Sequence, residues 1–87
     1  MRYTATTLKK LEQLFEAQDY EVRYEKGHFQ SGYCLVESRK IIIINKFYDT
    51  EGRINCMLDI LSKIELSLAR FDEDNMTFYK QLFPAAE

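Results

Sequence analysis

The alternation of apolar and polar positions divides the chain into six segments, and the stretch from Gly32 to Asn45 organises the rest. Tyr33, Cys34, Leu35 and Val36 form one apolar run. Ile41 to Ile44 form a second, of β-branched residues that are stiff at χ1 and pack well on a pleated surface. Both runs have strand length. The polar link Glu37-Ser38-Arg39-Lys40 is short enough to favour antiparallel pairing, with Val36 opposite Ile41 and Cys34 opposite Ile43. Successive side chains of a strand point to opposite faces. One face of the hairpin then holds Cys34, Val36, Ile41 and Ile43. The other holds Tyr33, Leu35, Ile42 and Ile44, with Glu37 and Lys40 at its turn end. A facing Glu and Lys prefer water, so this second face is expected to be the outer one.

The flanking segments follow the same logic. Leu8, Leu11, Leu14 and Phe15 recur at helical spacing, which predicts a helix over Thr4–Gln18 capped by Thr4, Thr6 or Thr7. Tyr20, Val22 and Tyr24 alternate with Glu21, Arg23 and Glu25, the pattern of a strand with one wet face. Lys26-Gly27-His28 reads as a turn, and Phe29 to Ser31 leads into the hairpin. After it, Phe47 and Tyr48 place the link Asn45–Gly52 against the body, and Asp49 or Thr50 caps the next helix. Ile54, Met57, Leu58, Leu61, Ile64 and Leu68 predict that this helix runs from Arg53 to Arg70, with Leu66 among its polar residues. Asp74 caps a last helix over Asn75–Phe83, which Pro84 ends. The expected fold is α+β, in the order α-β-β-β-α-α, with a three-stranded antiparallel meander packed against helices.

Length and charge narrow the function. A chain of 87 residues is expected to form a single domain, 1–87. Its net charge of −2 and pI of about 5.4 leave no basic excess, so nucleic acid is not an expected partner. The pairs Lys9-Lys10 and Arg39-Lys40 read as solvated surface. The longest purely aliphatic run is Ile41–Ile44, too short to span a membrane, and Met1-Arg2-Tyr3-Thr4 holds no apolar signal core. Cys34 and Cys56 fall within apolar patterns. They are expected to be reduced, buried small hydrophobes of a cytoplasmic protein.

No catalytic or cofactor motif is found. His28 is the single histidine, in a turn, and a thiol site with Cys34 would need that cysteine exposed in an electropositive setting. Asp72, Glu73 and Asp74 lack calcium-loop spacing and fit helix capping better. Gly27, Gly32 and Gly52 are scattered and make no phosphate loop. No metal or other cofactor is expected. A competing enzymatic reading would need a pocket drawing on Tyr24, His28, Tyr33 or Cys34.

From Tyr20 to Lys63, a short meander ending in an Ile-rich strand plus Asn45, then a helix after an acidic link, resembles the front of small zinc metallopeptidases of the ImmA/IrrE type. In that family the helix after the strand carries His-Glu-x-x-His. In the best register those positions hold Leu58, Asp59 and Ser62, and both histidines are absent. The resemblance implies a shared scaffold, and with it a degenerate peptidase-like domain that binds peptides without cleaving them.

The residues themselves favour a non-catalytic protein acting through self-association or partner binding. Tyr33, Leu35, Ile42 and Ile44 are the expected interface, most simply of a two-fold homodimer. The other outcome is cover by the C-terminal helix through Met76, Tyr79, Leu82 and Phe83.

Overall fold

The computed structural model describes residues 2–26 and 32–84. Its elements are α1 (Ala5–Ala17), β1 (Glu21–Glu25), β2 (Tyr33–Val36), β3 (Ile41–Asn45), α2 (Thr50–Leu61) and α3 (Glu73–Leu82). Short 3-10 turns occupy Glu37–Arg39 and Leu68–Arg70. The α+β class and the order α-β-β-β-α-α are as expected. Gly27, His28 and Phe29 to Ser31 lie outside the described residues.

Each α-helix starts at an oxygen-bearing cap. The Thr7 N–H donates to Thr4 Oγ1 at 3.2 Å, and the Gly52 N–H donates to Asp49 Oδ1 at 2.8 Å. The third helix is capped by Asp72, not Asp74, through the Asn75 N–H at 2.8 Å. Its start therefore falls two residues earlier than expected, with Glu73 and Asp74 in the first turn, where the helix dipole favours negative charge.

The hairpin forms in the expected register, Val36 opposite Ile41 and Cys34 opposite Ile43. The meander does not form. The strand order is β1-β3-β2, and β1 runs parallel to β3, with Glu21 opposite Ile41 and Arg23 opposite Ile43. The sheet is mixed. Its central strand bonds along both edges, and the four-isoleucine strand takes that place with Ile42 and Ile44 buried in the core. The strand with alternating charges takes an edge.

The central strand also reverses the expected faces. Ile42 and Ile44 are 0% exposed and join Leu8, Leu11, Leu14 and Phe15 of α1 and Ile54, Met57, Ile60 and Leu61 of α2 in one core. Tyr33 and Leu35 are half-buried against that core. The four residues expected at an interface thus lie on the helix-covered face. The cover comes from α1, which packs on β1, and α2, which packs on β3, while α3 packs on α1. The expectation failed because Glu37 and Lys40 carry no information about the faces. They leave the ladder in a 3-10 turn, and Lys40 adopts the left-handed conformation at φ 53°.

The second long helix is shorter than its pattern. It ends at Leu61, and the Ser62 hydroxyl donates to the Asp59 carbonyl at 2.6 Å. The chain beyond is drawn away by the end of α1. Buried Gln18 donates from Nε2 to the Ser67 carbonyl at 2.9 Å and accepts from the Ser67 N–H at 2.8 Å. Arg70 pairs with Asp19 beside it. Breaking the helix exchanges two leucines: Leu66 turns inward against the core, and Leu68 is 38% exposed. Ile64 and Phe71 remain buried.

The link between β3 and α2 lies against the body only in part. Phe47 is 70% exposed, whereas the Tyr48 ring lies between Gly32 and Gly52. Gly32 has φ +83°, and a Cβ there would run into that ring. Arg53 ties the link down, donating from Nε to the Tyr48 carbonyl at 2.9 Å and from Nη2 to the Lys46 carbonyl at 2.7 Å.

Candidate functional site

With α1 and α2 on one face, the opposite face of the sheet is built from Glu21, Arg23 and Glu25 of β1, Ile41, Ile43 and Asn45 of β3, and Cys34 and Val36 of β2. Val36, Ile41 and Ile43 are half-buried and are not among the side chains packed against the core. Cys34, expected inside, is exposed, while Cys56 is buried as expected, and neither is in a disulfide. The β1 side of this face is ionic: Arg23 Nε lies 2.9 Å from Glu25 Oε2 and 3.5 Å from Glu21 Oε2. The β2 side holds no charged residue between Tyr33 and Val36. The result is an apolar stripe bordered by charge on one side and, among the described residues, by an unpaired strand edge on the other.

The titratable clusters lie elsewhere and are closed sets. Tyr33 donates from its hydroxyl to Asp59 Oδ2 at 2.6 Å and accepts from Lys63 Nζ at 2.9 Å, and Lys63 Nζ lies 3.2 Å from Asp59 Oδ2. The Tyr33 hydroxyl, and then Lys63, hold the Asp59 carboxyl below its ordinary range. The same partners, Tyr33 first, hold the Lys63 ammonium above its own. Asp59 is thereby a poorer base and Lys63 a poorer nucleophile. The trio ties β2 to the end of α2.

On the other edge strand, Tyr24 donates its hydroxyl to Glu12, and the Arg53 guanidinium sits 4.7 Å from the ring centroid. Burial, and then Glu12, push the Tyr24 hydroxyl well above its ordinary pKa, so it stays protonated. Burial also raises the Cys56 thiol, with Asp59 adding to it, which disfavours the reactive thiolate. The described residues of the enzymatic reading, Tyr24, Tyr33 and Cys34, do not converge on one face. Tyr24 and Tyr33 face the helices from opposite edges of the sheet, Cys34 faces away from both, and His28 is outside the described residues.

Surface depressions are shallow. One of about 440 Å³ is lined mainly by apolar side chains, Leu61, Ile64, Leu66, Leu68, Tyr79 and Phe83, with Ser62 among them. A groove of about 340 Å³ between α1 and α3 is lined mainly by polar groups, Lys10, Gln13 and Asn75 among them. Among the described residues, no three His, Cys, Asp or Glu side chains are grouped to hold a metal ion. No described helix is long and apolar enough to cross a membrane.

The outer-face set could have been read from β1. Once β1 is placed beside β3, the wet residues Glu21, Arg23 and Glu25 mark Ile41 and Ile43 as outward. The Gln18–Ser67 bridge and the Tyr33–Asp59–Lys63 trio join residues too far apart in the chain to leave a local signal. No family model matches the chain, and no match was found among curated proteins or solved structures.

Proposed function

We propose that this chain is a non-catalytic module that acts by association, in the first instance with a second copy of itself, through the helix-free side of its sheet. The supporting observation is the stripe of Val36, Ile41 and Ile43, half-buried in the sheet yet outside the core packing, beside exposed Cys34. Leaving apolar surface wet forgoes roughly 25 cal/mol per Å². An apolar patch rimmed by polar groups is where soluble proteins make contacts. The closed hydrogen-bond sets around Asp59, Lys63 and Tyr24 support a non-catalytic role, because Asp59 is left a weaker base and Lys63 and Tyr24 are held protonated. Two cysteines outside any disulfide fit a reducing compartment such as the cytoplasm.

Sedimentation equilibrium tests the proposal. The wild type at tens of micromolar is expected to have a mass above one chain. Val36→Lys, which places a charge on the stripe at the sheet edge, is expected to sediment as one chain while keeping a cooperative melt. A wild type that remains a single chain refutes self-association.

A further inference from the structure

We propose that the second copy docks along the free edge of β2, so that the two β2 strands pair antiparallel about a two-fold axis at Leu35 and two three-stranded sheets become one of six. This rests on the self-association reading and adds its geometry. The phase of the sheet sets which groups are available. The Asn45 N–H donates to the Gly32 carbonyl at 2.8 Å, so Gly32, Cys34 and Val36 turn their backbone groups toward β3. Tyr33 and Leu35 then turn theirs to the outer edge, where the described residues supply no further strand.

The two edges differ in self-complementarity. Pairing β1 with its copy about Arg23 would set Arg23 against Arg23 and Glu21 against Glu25, like charges directly opposite. Pairing β2 about Leu35 sets Leu35 against Leu35 on the helix-covered face and Cys34 against Val36, twice, on the outer face. No charged side chain of β2 meets a like charge in this pairing. The outer-face stripes of the two copies become continuous across the new strand pair.

A charge-swap series tests both the edge and the register. The double variant Cys34→Lys with Val36→Lys sets lysine against lysine and is expected to reduce a two-chain species to one chain. Cys34→Lys with Val36→Glu sets lysine against glutamate and is expected to restore two chains, with an affinity that falls as salt rises. Both positions face away from the core, and thermal melts by circular dichroism establish that each variant is folded. A two-chain species that survives the lysine pair overturns edge pairing and leaves self-association standing. A lysine–glutamate variant that stays a single chain overturns the Leu35 register, since a register centred on Cys34 would oppose lysine to lysine in both variants. A single-chain wild type overturns this inference and the reading it rests on together. Independently of any variant, hydrogen exchange of the wild type should slow at the Tyr33 and Leu35 amides when protein is concentrated. Unchanged exchange there, with protection gained at β1 instead, overturns the proposal.

Discussion

Ile42 and Ile43 are chemically identical neighbours on the central strand, and they face opposite ways. Ile42 is 0% exposed at the centre of the core, and Ile43 is half-buried on the helix-free face. Truncation to Ala removes the same three carbons from each. At Ile42 the transfer loss is roughly 0.8 kcal/mol per carbon, or about 2.4 kcal/mol. The cavity left between α1 and α2 adds to this, for a total of about 3–4 kcal/mol. At Ile43 about half the transfer loss applies and no enclosed cavity forms, giving about 1 kcal/mol. The loss of β-branching is common to both and cancels in the difference, about 2–3 kcal/mol. Against a total stability of roughly 5–10 kcal/mol for a chain this size, that gap is large. Urea unfolding followed by circular dichroism, at protein concentrations low enough to keep the chains apart, reads it directly. With a slope of about 1 kcal/mol/M, the Ile42→Ala midpoint should fall about 2–3 M below that of Ile43→Ala. Equal midpoints, or a lower one for Ile43→Ala, would refute the assignment of faces and the outer stripe that follows from it.

Two further expectations test the parts that hold the sheet and helices together. Gln18→Ala removes both hydrogen bonds to Ser67 and leaves backbone groups at a partly buried site without partners, a loss of about 1–3 kcal/mol. A thermal melt should show this, with faster exchange of the Ser67 amide, and an unchanged melt would deny that the bridge holds the chain after α2. Tyr24 should make stability fall in alkali. Its folded pKa lies above the ordinary value of 10.0, so its contribution is fully present below that value and is lost as pH rises through the folded one. The stability advantage of wild type over Tyr24→Phe should therefore shrink between about pH 9 and 12. Parallel pH profiles for the two proteins would contradict the Tyr24–Glu12 assignment.

What the sequence determined by itself was local. Apolar spacing was enough to place α1 within a residue at each end. Alternation placed β1, and a four-residue polar link set the hairpin register of Val36 with Ile41. Thr4 and Asp49 cap their helices because short oxygen-bearing side chains satisfy the first free N–H groups wherever a helix begins. Three features were decided only in tertiary structure. Four consecutive isoleucines satisfy either face equally, so their direction waited on which partners came alongside. Parallel pairing with β1 aligned Val22 and Tyr24 with Ile42 and Ile44, and aligned Glu21 and Arg23 with Ile41 and Ile43. The order of the strands followed from the same encounter, because a strand apolar on both faces takes the centre whether or not its chain neighbours lie beside it. The end of α2 was set from outside the helix. Helical spacing of apolar residues continues from Leu61 through Ile64 to Leu68, but Gln18 and Asp19 draw Ser67 and Arg70 out of that path. Contacts spanning 49 and 51 residues of chain leave no periodic trace in either segment, and they decided where the helix stopped and which leucine, Leu66 or Leu68, reached the core.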